Sequence, residues 1–237
     1  FPYTPKAPWD TRYDPDYKGS INGSDAVLRP YRDGEKEPSQ ADVAHVLALY
    51  DGEISELDAT LAPLLNSLPE DCIVVITSDH GELLGDHGLI RKGPMPYRQL
   101  LQIPLVMSGP SIPKGQTIDA MTSHLDMKET LLDLLGLQGR PTDGTSLVPL
   151  LDGSTNRVRD TAFAEYFPRS VPNQYNRTIL SGNIRLTLYP KAEEHGWGEL
   201  FDHAQDPGEH RNLYQDAMRR DQIAALTRVL ERNSVGT

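Results

Sequence analysis

The chain has 237 residues, enough for one large domain or two modest ones around a substantial core. Its 23 Lys+Arg against 34 Asp+Glu leave a formal net charge of −11, which opposes a nucleic-acid binder and disfavours docking on anionic lipid. No apolar run approaches the roughly 18–20 residues that span a bilayer, and the 38% apolar content is that of a folded chain. Cys72 is the only cysteine, so neither an intrachain disulfide nor a Cys-based zinc knuckle can form, and no compartment follows from that. The sequence starts at Phe1 without an initiator Met, which leads us to expect a processed chain or a fragment.

Residues 1–38 are rich in Pro, Gly, Asp and Tyr and carry no period of 2 or 3.6, so they read as an irregular segment that must lie on something else to be ordered. Ser39 then caps a predicted helix in which Val43, Val46, Leu47, Tyr50, Ile54, Leu57, Leu61, Leu64, Leu65 and Leu68 recur at helical spacing. Pro63 is expected to kink or end it near Leu61. Residues 72–77 have the β-branched composition of a strand buried on both faces, followed by a polar, Gly-rich loop to about residue 96. Residues 103–107 read as a second strand and 126–135 as a helix with Gly136 as its stop. Strand, loop, strand and helix in this order suggest an α/β sheet with parallel strands. Beyond Gly153 the character changes: strands are predicted at 161–166, 177–181 and 184–189, the last two joined through Gly182-Asn183, and an amphipathic helix at 215–232. This tail reads as a smaller antiparallel sheet with one covering helix.

Chemistry concentrates in Ser78-Asp79-His80-Gly81-Glu82, directly after the first strand, where α/β sheets build ligand sites. Asp79 and His80 offer one cation a hard oxygen and an imidazole. Read locally, a loop-capping Asp and a surface His remain open as the alternative. Lys92, thirteen residues beyond Asp79 and set before Gly93-Pro94, suits an anion if it points into the same cleft, or is a solvated loop lysine. His87 in Asp86-His87-Gly88 is a second ligand or a loop histidine bonded to backbone. His124, before Asp126 at a helix start, suits capping or packing better than catalysis, and Cys72 suits an inert place in a strand. There is no Gly-x-Ser-x-Gly elbow, no GxGxxG and no phosphate-binding Gly-x4-Gly-Lys. Asn22-Gly23-Ser24 and Asn176-Arg177-Thr178 fit the glycosylation sequon, a match too short to carry weight.

The run Ile73-Val74-Val75-Ile76-Thr77-Ser78-Asp79-His80-Gly81-Glu82-Leu83-Leu84-Gly85-Asp86-His87-Gly88-Leu89, with Lys92-Gly93-Pro94, Tyr97 and Ile103-Pro104-Leu105, closely resembles the sulfatase family of the alkaline-phosphatase-like superfamily. Pro8-Trp9-Asp10-Thr11-Arg12-Tyr13-Asp14-Pro15 resembles the family segment before its long helix. Gly144-Thr145-Ser146-Leu147-Val148-Pro149-Leu150-Leu151 and Asp206-Pro207-Gly208-Glu209-His210-Arg211-Asn212-Leu213 resemble later family stretches in the right order. The resemblance implies part of a mixed or parallel α/β sheet flanked by helices, followed by a small antiparallel sheet with a C-terminal helix. Residues 1–153 would be the carboxy-terminal part of the catalytic domain and 154–237 a small C-terminal subdomain.

It also implies roles. Asp79 matches the family's metal-binding aspartate, His80 stands where an Asn or His completes that side of the cation, and Lys92 matches the lysine that contacts sulfate and nucleophile. The family nucleophile is a formylglycine made from a Cys/Ser-x-Pro-x-Arg motif, and none is present here, since Cys72 is followed by Ile-Val-Val-Ile. Formylglycine is therefore expected only in an amino-terminal half outside this sequence, which would be this chain's partner, and the isolated chain is expected to be inactive. Arg98 and Gln102 stand where the family often has Glu and Arg, so no salt bridge carries over. The implied function is metal-dependent hydrolysis of a sulfate ester, small molecule or glycan. The alternatives are phosphate- or phosphonate-ester hydrolysis and a non-catalytic module that binds a sulfated ligand or depends on a partner. Calcium is the first choice of cation, with magnesium, manganese or zinc as alternatives.

Overall fold

In the computed structural model, residues 2–90, 92–168, 174–189 and 197–233 are described, and they form two compact units. The first comprises Phe1–Cys72 and Ser78–Gly93, the second Ile73–Thr77 and Pro94–Thr237. Among the described residues no helix is long and apolar enough to cross a membrane.

In the first unit, two helices follow the irregular opening. The sequence reading missed α1 (Asp25–Arg32), which holds Pro30 and is supported by an Arg29–Asp25 pair one turn apart. α2 (Gln40–Ser67) begins at Ser39 as expected: its hydroxyl accepts the Asp42 N–H while the Asp42 carboxylate accepts the Ser39 N–H. The opening segment lies along α2, as its composition required. Glu53 and Glu56 accept the backbone N–H groups of Thr4 and Lys6, Tyr13 meets Ser55, and Asp14 meets buried His45 at 3.0 Å. The approach is so close that a Cβ on Gly52 would stand 2.6 Å from the Trp9 carbonyl oxygen. Tyr3, Ile21, Leu28, Val46, Leu49 and Ile90 form the buried core of this unit.

One expectation about α2 needs correction. It does not end near Leu61 but continues through Pro63 to Ser67. Proline there removes the hydrogen bond to the Ala59 carbonyl, and Ala59 lies on an exposed part of the helix, where the loss costs least. Along its apolar period, Ile54, Leu57 and Leu64 are each more than half exposed.

In the second unit, β1 (Val74–Thr77) pairs with β2 (Leu105–Ser108) antiparallel, in the register Val74 to Ser108 and Thr77 to Leu105. This corrects the parallel arrangement inferred from element order. A parallel pair needs a crossover, usually a helix of some length. Among the described residues between these strands, the helical elements are a 3-10 turn (Asp86–Gly88) and the four-residue α3 (Arg98–Leu101). Nor is β1 buried on both faces, because Ile76 and its cross-strand partner Val106 are 41% and 58% exposed. Cys72 lies just before the strand, half-buried, in a turn closed on the Pro69 carbonyl.

α4 (Asp126–Leu134) stops as predicted at Gly136, whose φ of +65° is a left-handed cap; its N–H donates to Asp133 and that of Leu137 to Leu132. At the front end no side chain caps the helix, His124 included; the buried Asp126 carboxylate instead accepts the N–H groups of Ser123 and Thr145 and pairs with Arg159. The short α5 (Val148–Leu151) follows.

β3 (Thr161–Tyr166), β4 (Asn176–Ser181), β5 (Ile184–Leu188) and β6 (Gly198–Asp202) form the expected small antiparallel sheet in that order. β4 and β5 are joined through Gly182 at φ +55°. The sequence reading lacked β6, which is buried along its whole length and so shows no alternation of polar and apolar residues. α6 (Arg220–Arg232) packs on one face of the sheet through Ile223, Leu226, Val229 and Leu230, against Ile179, Leu186, Leu188 and Leu200. It starts later than residue 215, after a 3-10 turn capped by Asp216.

Elsewhere in the sheet Arg185, fully buried on β5, pairs with Glu199 of β6 and with Glu209, and its guanidinium lies over Phe201. Burial alone would raise the Glu209 carboxyl. Hydrogen bonds from His203 and Arg185, the Arg185 charge and the Arg98 N–H outweigh it and hold the pKa at about 2. A depressed carboxylate stabilises the fold above its unfolded value near 4.5, and that contribution, on the order of 3 kcal/mol, is lost as pH falls toward 2. Glu209→Gln should therefore lower stability near neutral pH and flatten its fall between pH 5 and 2. Denaturant titrations at several pH values read this directly, and an unchanged pH slope would contradict it.

Candidate functional site

Asp79, His80 and Lys92 all belong to the Ser78–Gly93 stretch of the first unit, and the fold brings them together. Three local bonds shape the turn. The Ser78 hydroxyl donates to the His80 carbonyl at 2.6 Å, Asp79 Oδ1 accepts the His80 N–H at 3.0 Å, and His80 Nδ1 lies 2.7 Å from the Gly81 carbonyl oxygen. Gly85 at φ +103° turns the chain back, with the Val43 side chain of α2 so close that a Cβ would collide with it.

The Gly81 contact fixes the chemistry of the imidazole. A carbonyl oxygen only accepts, so Nδ1 carries the proton and Nε2 of the neutral ring presents a lone pair. The Lys92 ammonium donates to that Nε2, and Asp79 Oδ2 lies 3.5 Å from the same atom. A carboxylate, an imidazole lone pair and an ammonium thus meet at one point.

Asp79 is largely exposed and His80 partly so, which leaves the cluster open to a ligand. What desolvation Asp79 suffers raises its pKa. The His80 N–H and the Lys92 charge offset this, so the carboxyl titrates below its ordinary value and is ionised at neutral pH.

The donor set fits one side of a divalent-cation site, a hard oxygen beside an imidazole nitrogen whose tautomer is fixed by a backbone carbonyl. Among the described residues no group of three His, Cys, Asp or Glu side chains is arranged to hold a metal ion, so His87 does not complete a shell with Asp79 and His80. His87 instead sits in the 3-10 turn with φ +56°. Asn176 is buried at 1% exposure and its amide donates to the Pro94 carbonyl, so that sequon is committed to the fold. Where the salt bridge was not expected, Arg98 donates to Gln102 at 2.6 Å.

Sequence reasoning found the three side chains but missed the Gly81 carbonyl and the Ser78 hydroxyl that orient the ring between them. The only available signal was a serine two residues before His80, a common turn donor. Ring nitrogen shifts of the neutral His80 imidazole should place its one proton on Nδ1 and not on Nε2. The opposite tautomer would contradict this geometry.

A family model described as Sulfatase matches residues 7–137, and one described as N-sulphoglucosamine sulphohydrolase, C-terminal, matches residues 85–235. Arylsulfatase K of Xenopus laevis is 34% identical over 188 residues, covering 74% of this chain and 35% of that protein. The choline-sulfatase of Rhizobium meliloti is 37% identical over 180 residues, covering 70% of this chain and 33% of that one. Among solved structures, the phosphonate monoester hydrolase of Agrobacterium radiobacter superposes with a TM-score of 0.72 at 27% identity, over 82% of this chain and 42% of that chain. The chain spans about a third of the length of these two curated relatives.

Proposed function

The chain belongs to the sulfatase family, and on that premise we propose that it forms one wall of the active site of a metal-dependent sulfuric-ester hydrolase. The observation that carries this reading is the convergence of Asp79, His80 and Lys92 in one loop. Family membership implies a divalent cation. Asp79 Oδ2 and His80 Nε2 would hold it from this side, and calcium is our first choice, with magnesium or manganese as alternatives. Bound there, the cation would neutralise negative charge on the sulfuryl oxygens of the substrate.

Lys92 is the residue we assign to the substrate. Its ammonium has three donors, so it can leave His80 Nε2 for a sulfate oxygen and hold the charge that builds on it. The Gly81 carbonyl keeps His80 in one orientation and one tautomer, and Asp79, held ionised, needs no proton loss to bind a cation. The nucleophile, a formylglycine, would come from an amino-terminal part of the enzyme, since no Cys/Ser-x-Pro-x-Arg stands in these 237 residues. We assign that part as the chain's partner. In the first unit the exposed Ile54, Leu57, Leu64 and Leu65 of α2 suit such cover; in the second, so does the exposed Ile76–Val106 pair.

A second reading, hydrolysis of phosphate or phosphonate esters, is favoured by the likeness to the phosphonate monoester hydrolase. The same carboxylate, imidazole and ammonium suit a tetrahedral anion of either element, so the two substrates are compared in one assay. In the complete enzyme, Lys92→Ala should lower turnover of an aryl sulfate by about a hundredfold or more, with the melting temperature unchanged. The isolated chain should release no sulfate. Near-normal turnover by Lys92→Ala would contradict the assignment, and a higher kcat/KM on the phosphonate ester would favour the second reading. Binding of a sulfated glycan without turnover by the complete protein would point to the non-catalytic alternative.

A further inference from the structure

We propose that Gly85 is a positioning residue for Lys92: the absence of a side chain there lets the turn between His80 and Lys92 seat closely on α2. The inference rests on the role assigned to Lys92 above, and every residue in it belongs to the first unit. Leu83, three residues beyond His80, is buried. Ile90, two residues before Lys92, is buried in the cluster that holds Tyr3, Ile21, Val46 and Leu49. Between Leu83 and Ile90 the chain reverses through a turn closed by its own backbone. The Gly85 N–H donates to the Leu89 carbonyl at 2.9 Å, and the Asp86 N–H to that of Leu83 at 2.9 Å. This reversal returns the Lys92 ammonium to His80 Nε2.

The depth at which the turn rests is set by α2. A Cβ built on Gly85, at φ +103°, would stand 2.4 Å from Val43 Cγ1. A contact that short forces one side to move. The helix is the side that holds: Val43 directly follows the Ser39–Asp42 cap, Tyr17 donates to Asp42, and Asp14 meets His45 at 3.0 Å. The turn therefore lifts, and the Gly85–Leu89 bond passes the lift to Ile90, the next residue along. The Lys92 Cα lies within about 7 Å of that of Ile90, so the lysine moves with it. His80 stands on the other limb of the turn, and the distance between its ring and the ammonium changes. A misplacement of about 1 Å can cost roughly a hundredfold in rate. Gly85 thus contributes to turnover without touching substrate.

The test is a pair of mutant cycles in the complete enzyme, with turnover expressed per folded active site so that backbone strain at residue 85 does not enter. Gly85→Ala should lower kcat/KM for an aryl sulfate by about tenfold to a hundredfold. Val43→Ala removes the methyl groups that the new Cβ meets, so Val43→Ala with Gly85→Ala should recover most of that loss. In the Lys92→Ala background Gly85→Ala should have almost no further effect, because the group it positions is gone. Failure of Val43→Ala to rescue, or full additivity with Lys92→Ala, would overturn the inference while leaving the role of Lys92 intact. Near-normal turnover by Lys92→Ala alone would overturn that role, and this inference with it. Should Gly85→Ala fail to fold, Val43→Phe, which presses on the turn from the helix side, enters the Lys92 cycle in its place. A normal kcat/KM in either folded variant contradicts the proposal.

Discussion

Glu209 is a carboxylate sealed inside the second unit, and removing such a charge from water costs several kcal/mol unless donors replace the lost hydration. Arg185 supplies two, His203 a third and the Arg98 N–H a fourth. Each comes from a different place: β5, the turn after β6, and the start of α3. β5, β6, the turns at His203 and Glu209 and the start of α3 are thereby held in one arrangement, because any displacement strands either a buried anion or a buried guanidinium. Glu209 accepts a left-handed backbone at φ +57° to reach this position, a strain the paired charges outweigh.

The first unit obeys a different constraint. Its opening segment has too few apolar residues to fold on itself, so α2 carries the polar groups that hold it: Asp42 for Tyr17, His45 for Asp14, Glu53 and Glu56 for bare backbone N–H groups. Tyr17 stacks on His45 with ring centroids 3.7 Å apart, closing that edge. The loop that bears Asp79, His80 and Lys92 belongs to the same unit, and its core contact Ile90 is buried among the same side chains. The cluster is therefore a polar feature on an ordered loop, which is what electrostatic catalysis requires of its fixed dipoles and charges.

Much of this was legible in the sequence, for physical reasons that differ by element. The Ser39 cap, the Gly136 stop, the Gly182-Asn183 hairpin and strands β3 to β5 are local statements, set by turn chemistry and by a period of two or 3.6. β6 was not legible because every one of its residues is buried, and the charged ones, Glu199 and Asp202, are paired rather than exposed. The strand direction of β1 and β2 is a tertiary fact that element order alone does not encode. On α2, Ile54, Leu57 and Leu64 are exposed, because apolar spacing reports which face is apolar, not what covers it. In the loop, residue types pointed to Asp79, His80 and Lys92, whereas the carbonyl that sets the His80 tautomer leaves no mark in the side-chain sequence.

The sulfatase-family chain brings a carboxylate, an imidazole lone pair and an ammonium together in one loop, which we propose to receive a tetrahedral anion and its cation. The most direct measurement is a crystal structure of the complete enzyme with calcium and sulfate. The account predicts a cation with Asp79 and His80 Nε2 in its shell, the Asp79 oxygen at about 2.3–2.6 Å, and the Lys92 ammonium on a sulfate oxygen. A cation bound without Asp79 and His80, or a sulfate bound with Lys92 pointing into solvent, would contradict it.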